Sequence, residues 1–126
     1  ISSDLHRARA TADAIAGPRP RLPDDPALRE MHFGDWELLR ADDVSDQDRL
    51  RAFYETPGDV APPGGESWNA LSARVSAAVD GLVARHPGRP IIAVAHFGVI
   101  LSQMQRALGV TAYEVFAHRI DNLSVT

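Results

Sequence analysis

The chain has 126 residues, 44% of them hydrophobic and 24% charged, with a formal net charge of -4 and no cysteine. That is the composition of an ordinary globular protein of one domain, and no apolar run approaches the roughly 20 residues that span a bilayer. The negative charge argues against a nucleic-acid binder, which needs a clustered basic face; the lack of cysteine excludes disulfides, thiolate catalysis and Cys-ligated zinc, and fits a cytoplasmic protein.

The opening residues, Ile1-Ser2-Ser3-Asp4-Leu5, read as the end of a strand entering a helix. Leu5, Ala8, Ala12, Ile15 and Ala16 form one apolar stripe that predicts a helix over 5–16, with Ser3 or Asp4 as its cap and Gly17-Pro18 as its stop. Arg7 sits in the first turn, where its charge opposes the helix dipole, which hints at a role outside the helix. Arg9, Arg19 and Arg21 read as solvated. Four prolines between Pro18 and Pro26 impose an extended or turning segment. From Leu28 to Glu37, carboxylates, a histidine and large aromatics mix without periodicity, which predicts an ordered loop with Glu30 partly desolvated beside Met31 and Phe33.

Leu50, Phe53 and Tyr54 fall at helical spacing and predict a small helix inside an insertion that ends at Thr56-Pro57-Gly58. The pair Gly64-Gly65 precedes a long amphipathic helix over 67–86, a weak phosphate-cradle signal without a G-x-x-x-x-G-K pattern. Ile91 to Ala95 is continuously apolar, as in a strand covered on both faces, and His96 ends it. Gly98 breaks the run, a helix follows over 99–108, and Gly109 stands as its C-terminal cap. His96 thus occupies the carboxyl end of a buried strand, where open α/β sheets bind ligands, although a lone histidine there also fits a core role. A metal site from His32, Asp35 and His96 matches no ligand spacing. Leu123-Ser124-Val125-Thr126 reads as the start of another strand.

Several of these segments, in order, resemble the histidine phosphatase superfamily, the phosphoglycerate-mutase-like proteins, in its smaller phosphatase branch. Ser2-Ser3-Asp4-Leu5-His6-Arg7-Ala8-Arg9-Ala10-Thr11-Ala12 is similar to the family's SSDLxRAxxTA segment, and Leu28 to Glu37 to its LxExxFGxWEG segment. Pro63-Gly64-Gly65-Glu66-Ser67 resembles its PGGES loop, Ala95-His96 the end of the strand carrying its second active-site histidine, and Asn122 to Thr126 the start of its late strand. The resemblance implies a three-layer α/β sandwich with a mostly parallel central sheet flanked by helices and strands near 1–4, 91–96 and 123–126. It implies a phosphomonoester hydrolase acting through a phosphohistidine, with Arg7 and His96 binding the phosphoryl group and Glu30 as proton donor. No metal or cofactor is implied; the partner is a small phosphorylated metabolite, not nucleic acid or membrane, and a homodimer stays open.

Phosphoryl transfer needs cations and donors around the phosphate oxygens and an acid for the leaving group. Arg7 offers a planar fork, Glu30 a proton, and His96, when protonated, a charge. Two features depart from the family. Phe97 stands beside His96 where the family usually has glycine, which crowds the substrate pocket. The Arg-His-Gly segment that holds the family's nucleophile is absent, and His6, His32, His86 and His118 do not stand in one. The resemblance puts that segment before Ile1, so 1–126 is expected to be a single domain that is N- and C-terminally incomplete. The rival readings are a phosphoglycerate-type mutase and a catalytically dead phospho-ligand-binding scaffold.

Overall fold

A computed structural model describes all of residues 1–126. Five helices occur: α1 (His6–Ala16), α2 (Gln47–Glu55), α3 (Trp68–Arg85), α4 (Phe97–Leu108) and α5 (Ala112–Val115), with single 3-10 turns at Pro26–Leu28, Gly34–Trp36 and Ala41–Asp43. The helices expected over 5–16, 67–86 and 99–108 are all present. Helix α4 begins two residues earlier than its spacing predicts and ends at Gly109, whose left-handed φ of 66° makes the expected cap.

The strands are where the structure departs from the expectation. Segments 1–4 and 91–96 run parallel, but they make one bridge, Ser2 with Val94, instead of a sheet. Its bonds run from Ile1 N to Ile92 O (3.1 Å), Val94 N to Ile1 O (3.0 Å) and Ser3 N to Val94 O (3.1 Å). A ladder this short ends because both segments leave it at once, one into α1 and the other into α4. Segment 123–126 forms no ladder either: Leu123 takes a positive φ, Ser124 N closes a turn on Asp121 O, and Leu123 and Val125 are exposed.

One apolar core organises the helices. Trp68, Leu71 and Val75 of α3 and Val99 and Leu101 of α4 bury together with Leu28, Met31 and Trp36 of the loop and Phe53 of α2. Each such side chain removed from water contributes about 2 kcal/mol. The Trp68 indole also donates to Gln105 Oε1 at 2.7 Å, which joins α3 to α4. The 28–37 segment is therefore an ordered loop, staked to the core by its own apolar residues.

Two expectations about polar residues need correction. Neither Ser3 nor Asp4 caps α1: the position before the helix is Leu5, without a side-chain cap. Ser2 instead donates to Asp24 at 2.8 Å, Ser3 bonds His96 and Asp4 binds Arg29, so these side chains serve contacts distant in sequence. Nor are Arg9 and Arg21 simply solvated. Arg9 pairs with Asp24 at 3.1 Å, and Arg21 reaches both Asp13 and Asp24 at 2.9 Å. Together with Ser2, this network holds the Asp24 carboxyl below its usual range.

At the Gly64-Gly65 pair two backbones meet. A Cβ on Gly34 would lie 2.1 Å from Pro63 O, and one on Gly65 would lie 2.7 Å from His32 O. Asp35 N to Pro63 O (2.9 Å) and Glu66 N to His32 O (2.8 Å) close that contact. Gly34 also has a φ of 53°, whereas Gly17, at φ 54°, has open space around it. Gly34→Ala is expected to destabilise the protein by about 3 kcal/mol and Gly17→Ala by only about 1 kcal/mol. Denaturant melts of the two variants check this, and equal losses would show that the loops do not need to touch.

Candidate active site

The parallel bridge brings the start of α4 beside the start of α1. His96 is the residue immediately before α4, 7% exposed, with Nε2 2.6 Å from Ser3 Oγ. Ser3 itself is wholly buried. Arg7 follows in the first turn of α1 with its side chain exposed. Burial of the imidazole, and secondarily the positive charge of Arg7, push the His96 pKa down to about 4. The ring is therefore neutral near pH 7: a second cation beside Arg7 and out of water is unfavourable.

Glu30 reaches the same place from the loop. Its Oε1 accepts from the backbone N–H of Met31 at 2.9 Å and of Gly98 at 3.1 Å. His96 makes no side-chain cap on α4, so the Glu30 carboxyl takes that position at the positive end of the helix. Gly98 has room for this and no more, since a Cβ there would lie 2.7 Å from Oε1. Phe97, the first residue of α4, is half exposed beside them. The structure thus gathers Arg7, Glu30, His96 and Phe97 around the starts of two helices.

The loop that carries Glu30 is clasped from both sides. Arg29 forms a forked pair with Asp4 at 2.7 and 2.6 Å, which ties the loop to the segment leading into α1 and holds the Asp4 carboxyl below its usual range. Arg74 of α3 forks onto Glu66 at 2.8 and 2.7 Å and donates to the carbonyls of Ala27 (2.8 Å) and Arg29 (3.2 Å). No three histidine or acidic side chains come together at metal-ligand spacing. Sequence reasoning sees Ser3 only as a cap, Gly98 only as a break, and does not single out Arg74. The serine pair of the first motif is the one signal that pointed toward Ser3.

The model of the histidine phosphatase superfamily (branch 1) matches residues 1–126. The chain belongs to this superfamily. It is 39% identical over 111 residues to phosphoglycerate mutase-like protein 4 of Arabidopsis thaliana, covering 84% of this chain and 48% of that protein. It is 31% identical over 125 residues to the adenosylcobalamin/alpha-ribazole phosphatase of Escherichia coli (strain K12), covering 96% and 61%. The structure of a mycobacterial glucosyl-3-phosphoglycerate phosphatase in complex with inorganic phosphate aligns with a TM-score of 0.77 and 33% identity, covering 94% of this chain and 62% of that one. The chain thus spans about half to three-fifths of the length of the relatives it matches. These relatives support an α/β class, and no helix of the chain is long and apolar enough to cross a membrane.

The His96 environment predicts a pH effect on stability. The unfolded chain takes up a proton at this residue near the ordinary value of 6.5 and the folded chain only near 4. The stability that the neutral ring confers is whole above the unfolded value and is lost as pH falls from there toward 4. His96→Gln is expected to show a smaller drop in Tm between about pH 7 and pH 5 than the parent protein. Identical drops would mean that the ring protonates as readily folded as unfolded.

Proposed function

We propose that this chain forms the phosphoryl-binding part of a phosphomonoester hydrolase that works without a metal through a phosphohistidine. The observation that carries this reading is the convergence of Glu30 on Gly98 and of Ser3 on His96, which sets an acid and an imidazole beside the helix that carries Arg7. In this reading Arg7 grips two phosphoryl oxygens with its fork. His96 contacts a third, and an arriving dianion opposes the effect of Arg7 on its protonation. Oε1 of Glu30 accepts two N–H groups at 2.9 and 3.1 Å and Oε2 only the longer contact from Gly98 at 3.4 Å, so the proton delivered to the leaving oxygen rides on Oε2. Phe97 narrows the entrance for the rest of a small phosphorylated metabolite.

The attacking histidine lies outside residues 1–126 in this proposal, since none of the five histidines stands in an Arg-His-Gly segment. The strand pairing of 1–3 with 92–94 is then one step of a mostly parallel sheet in the whole protein. The short acidic segment between Trp36 and Pro63 favours hydrolysis over a mutase, for which a longer insertion would seal the site from water. Phosphatase relatives support the same class.

Two measurements on the whole protein test the roles. Glu30→Gln is expected to slow hydrolysis of alkyl phosphates by roughly 10²–10⁴-fold while barely affecting aryl esters, whose phenolate leaves without a proton. Equal loss on both would make Glu30 a packing residue. Acid-quenched incubation with a labelled phosphomonoester should trap label on a histidine other than His96; label on His96 would overturn the assignment.

A further inference from the structure

The hydrogen bond between Ser3 and His96 has two possible directions, and burial separates them. Ser3 is wholly buried, and its hydroxyl has no partner other than Nε2 of His96. If Nε2 carried the ring proton and donated it, the hydroxyl hydrogen of Ser3 would be left buried without an acceptor, which is the more costly arrangement. If Ser3 donates, its hydrogen is satisfied and the ring proton moves to Nδ1, the nitrogen that has no partner within the protein.

We propose that Ser3 is a positioning residue that donates to Nε2 of His96 and thereby keeps the proton of the neutral ring on Nδ1. The inference deepens the phosphoryl-site reading and rests on it for its consequence: a neutral His96 then offers an N–H donor to a phosphoryl oxygen instead of a lone pair that would repel it. The backbone supports this geometry, because Ser3 N–H binds Val94 O, two residues before His96, and so fixes the distance between serine and ring. The binding of phosphate by His96 does not then require prior protonation.

The test is a long-range proton–nitrogen spectrum of the whole protein labelled with ¹⁵N-histidine near neutral pH, with His96→Gln identifying the His96 signals. The expected result is a ring protonated on Nδ1 in the parent protein and in Ser3→Thr, and on Nε2 in Ser3→Ala, with inorganic phosphate binding weakened about tenfold in Ser3→Ala. A parent ring protonated on Nε2 overturns the proposal whether or not the variants fold, and so does an unchanged tautomer in a folded Ser3→Ala. If the tautomers are as expected but inorganic phosphate leaves the His96 signals unmoved, the Ser3 assignment stands and the phosphoryl-site reading falls.

Discussion

Two bonds from one residue tie this molecule's working end together. The Ser3 N–H holds the Val94 carbonyl, and the Ser3 hydroxyl holds the His96 ring. Because α1 starts three residues after Ser3 and α4 starts immediately after His96, fixing this one pair fixes the starts of both helices relative to each other. Side chains from their first turns can then address one small volume. A serine suits the position because it is small enough to be fully buried and still brings a hydroxyl.

The third participant, Glu30, is held differently. It comes from a loop with almost no regular structure, so its position depends on stakes and clasps. Leu28 and Met31 sink into the core on either side of it, Arg29 and Arg74 pair with acids on neighbouring elements, and Gly34 with Gly65 brings the next turn into backbone contact. Ion pairs still in contact with solvent contribute little individually. Their value here is geometric: forked arginine pairs restrict direction as well as distance, so the loop has few ways to move the carboxyl away from Gly98.

Helices were legible in the sequence because their evidence is local. The apolar stripe of α1, the amphipathic run of α3 and the Gly109 stop each lie within a few residues of the element they define. Strands were not, since the apolar run Ile91 to Ala95 carries no information about which backbone lies alongside it. For the site, Arg7, Glu30 and His96 could be named together from motif segments, but the bonds from Ser3 and Gly98 that hold two of them in place could not. Ser3 looked like a helix cap because serine near a helix start usually is one, and a contact 93 positions away leaves no local trace. The charge state of His96 stayed open in the sequence for the same reason: it depends on burial and on Arg7, and both are properties of the fold.

That charge state also bears on the stability of the site itself. Two cations side by side and partly out of water would repel each other and lose hydration, a cost that folding would have to offset. A neutral imidazole avoids it, leaving Arg7, exposed to solvent, as the charge that first meets an anion. In the proposed reading a phosphoryl dianion brings the opposite charge with it, so the electrostatic cost of a cationic ring falls at the moment a second cation becomes useful. In that reading site and ligand are complementary only as a pair, and a neutral analogue of the same shape would gain the contacts without the charge that makes them favourable.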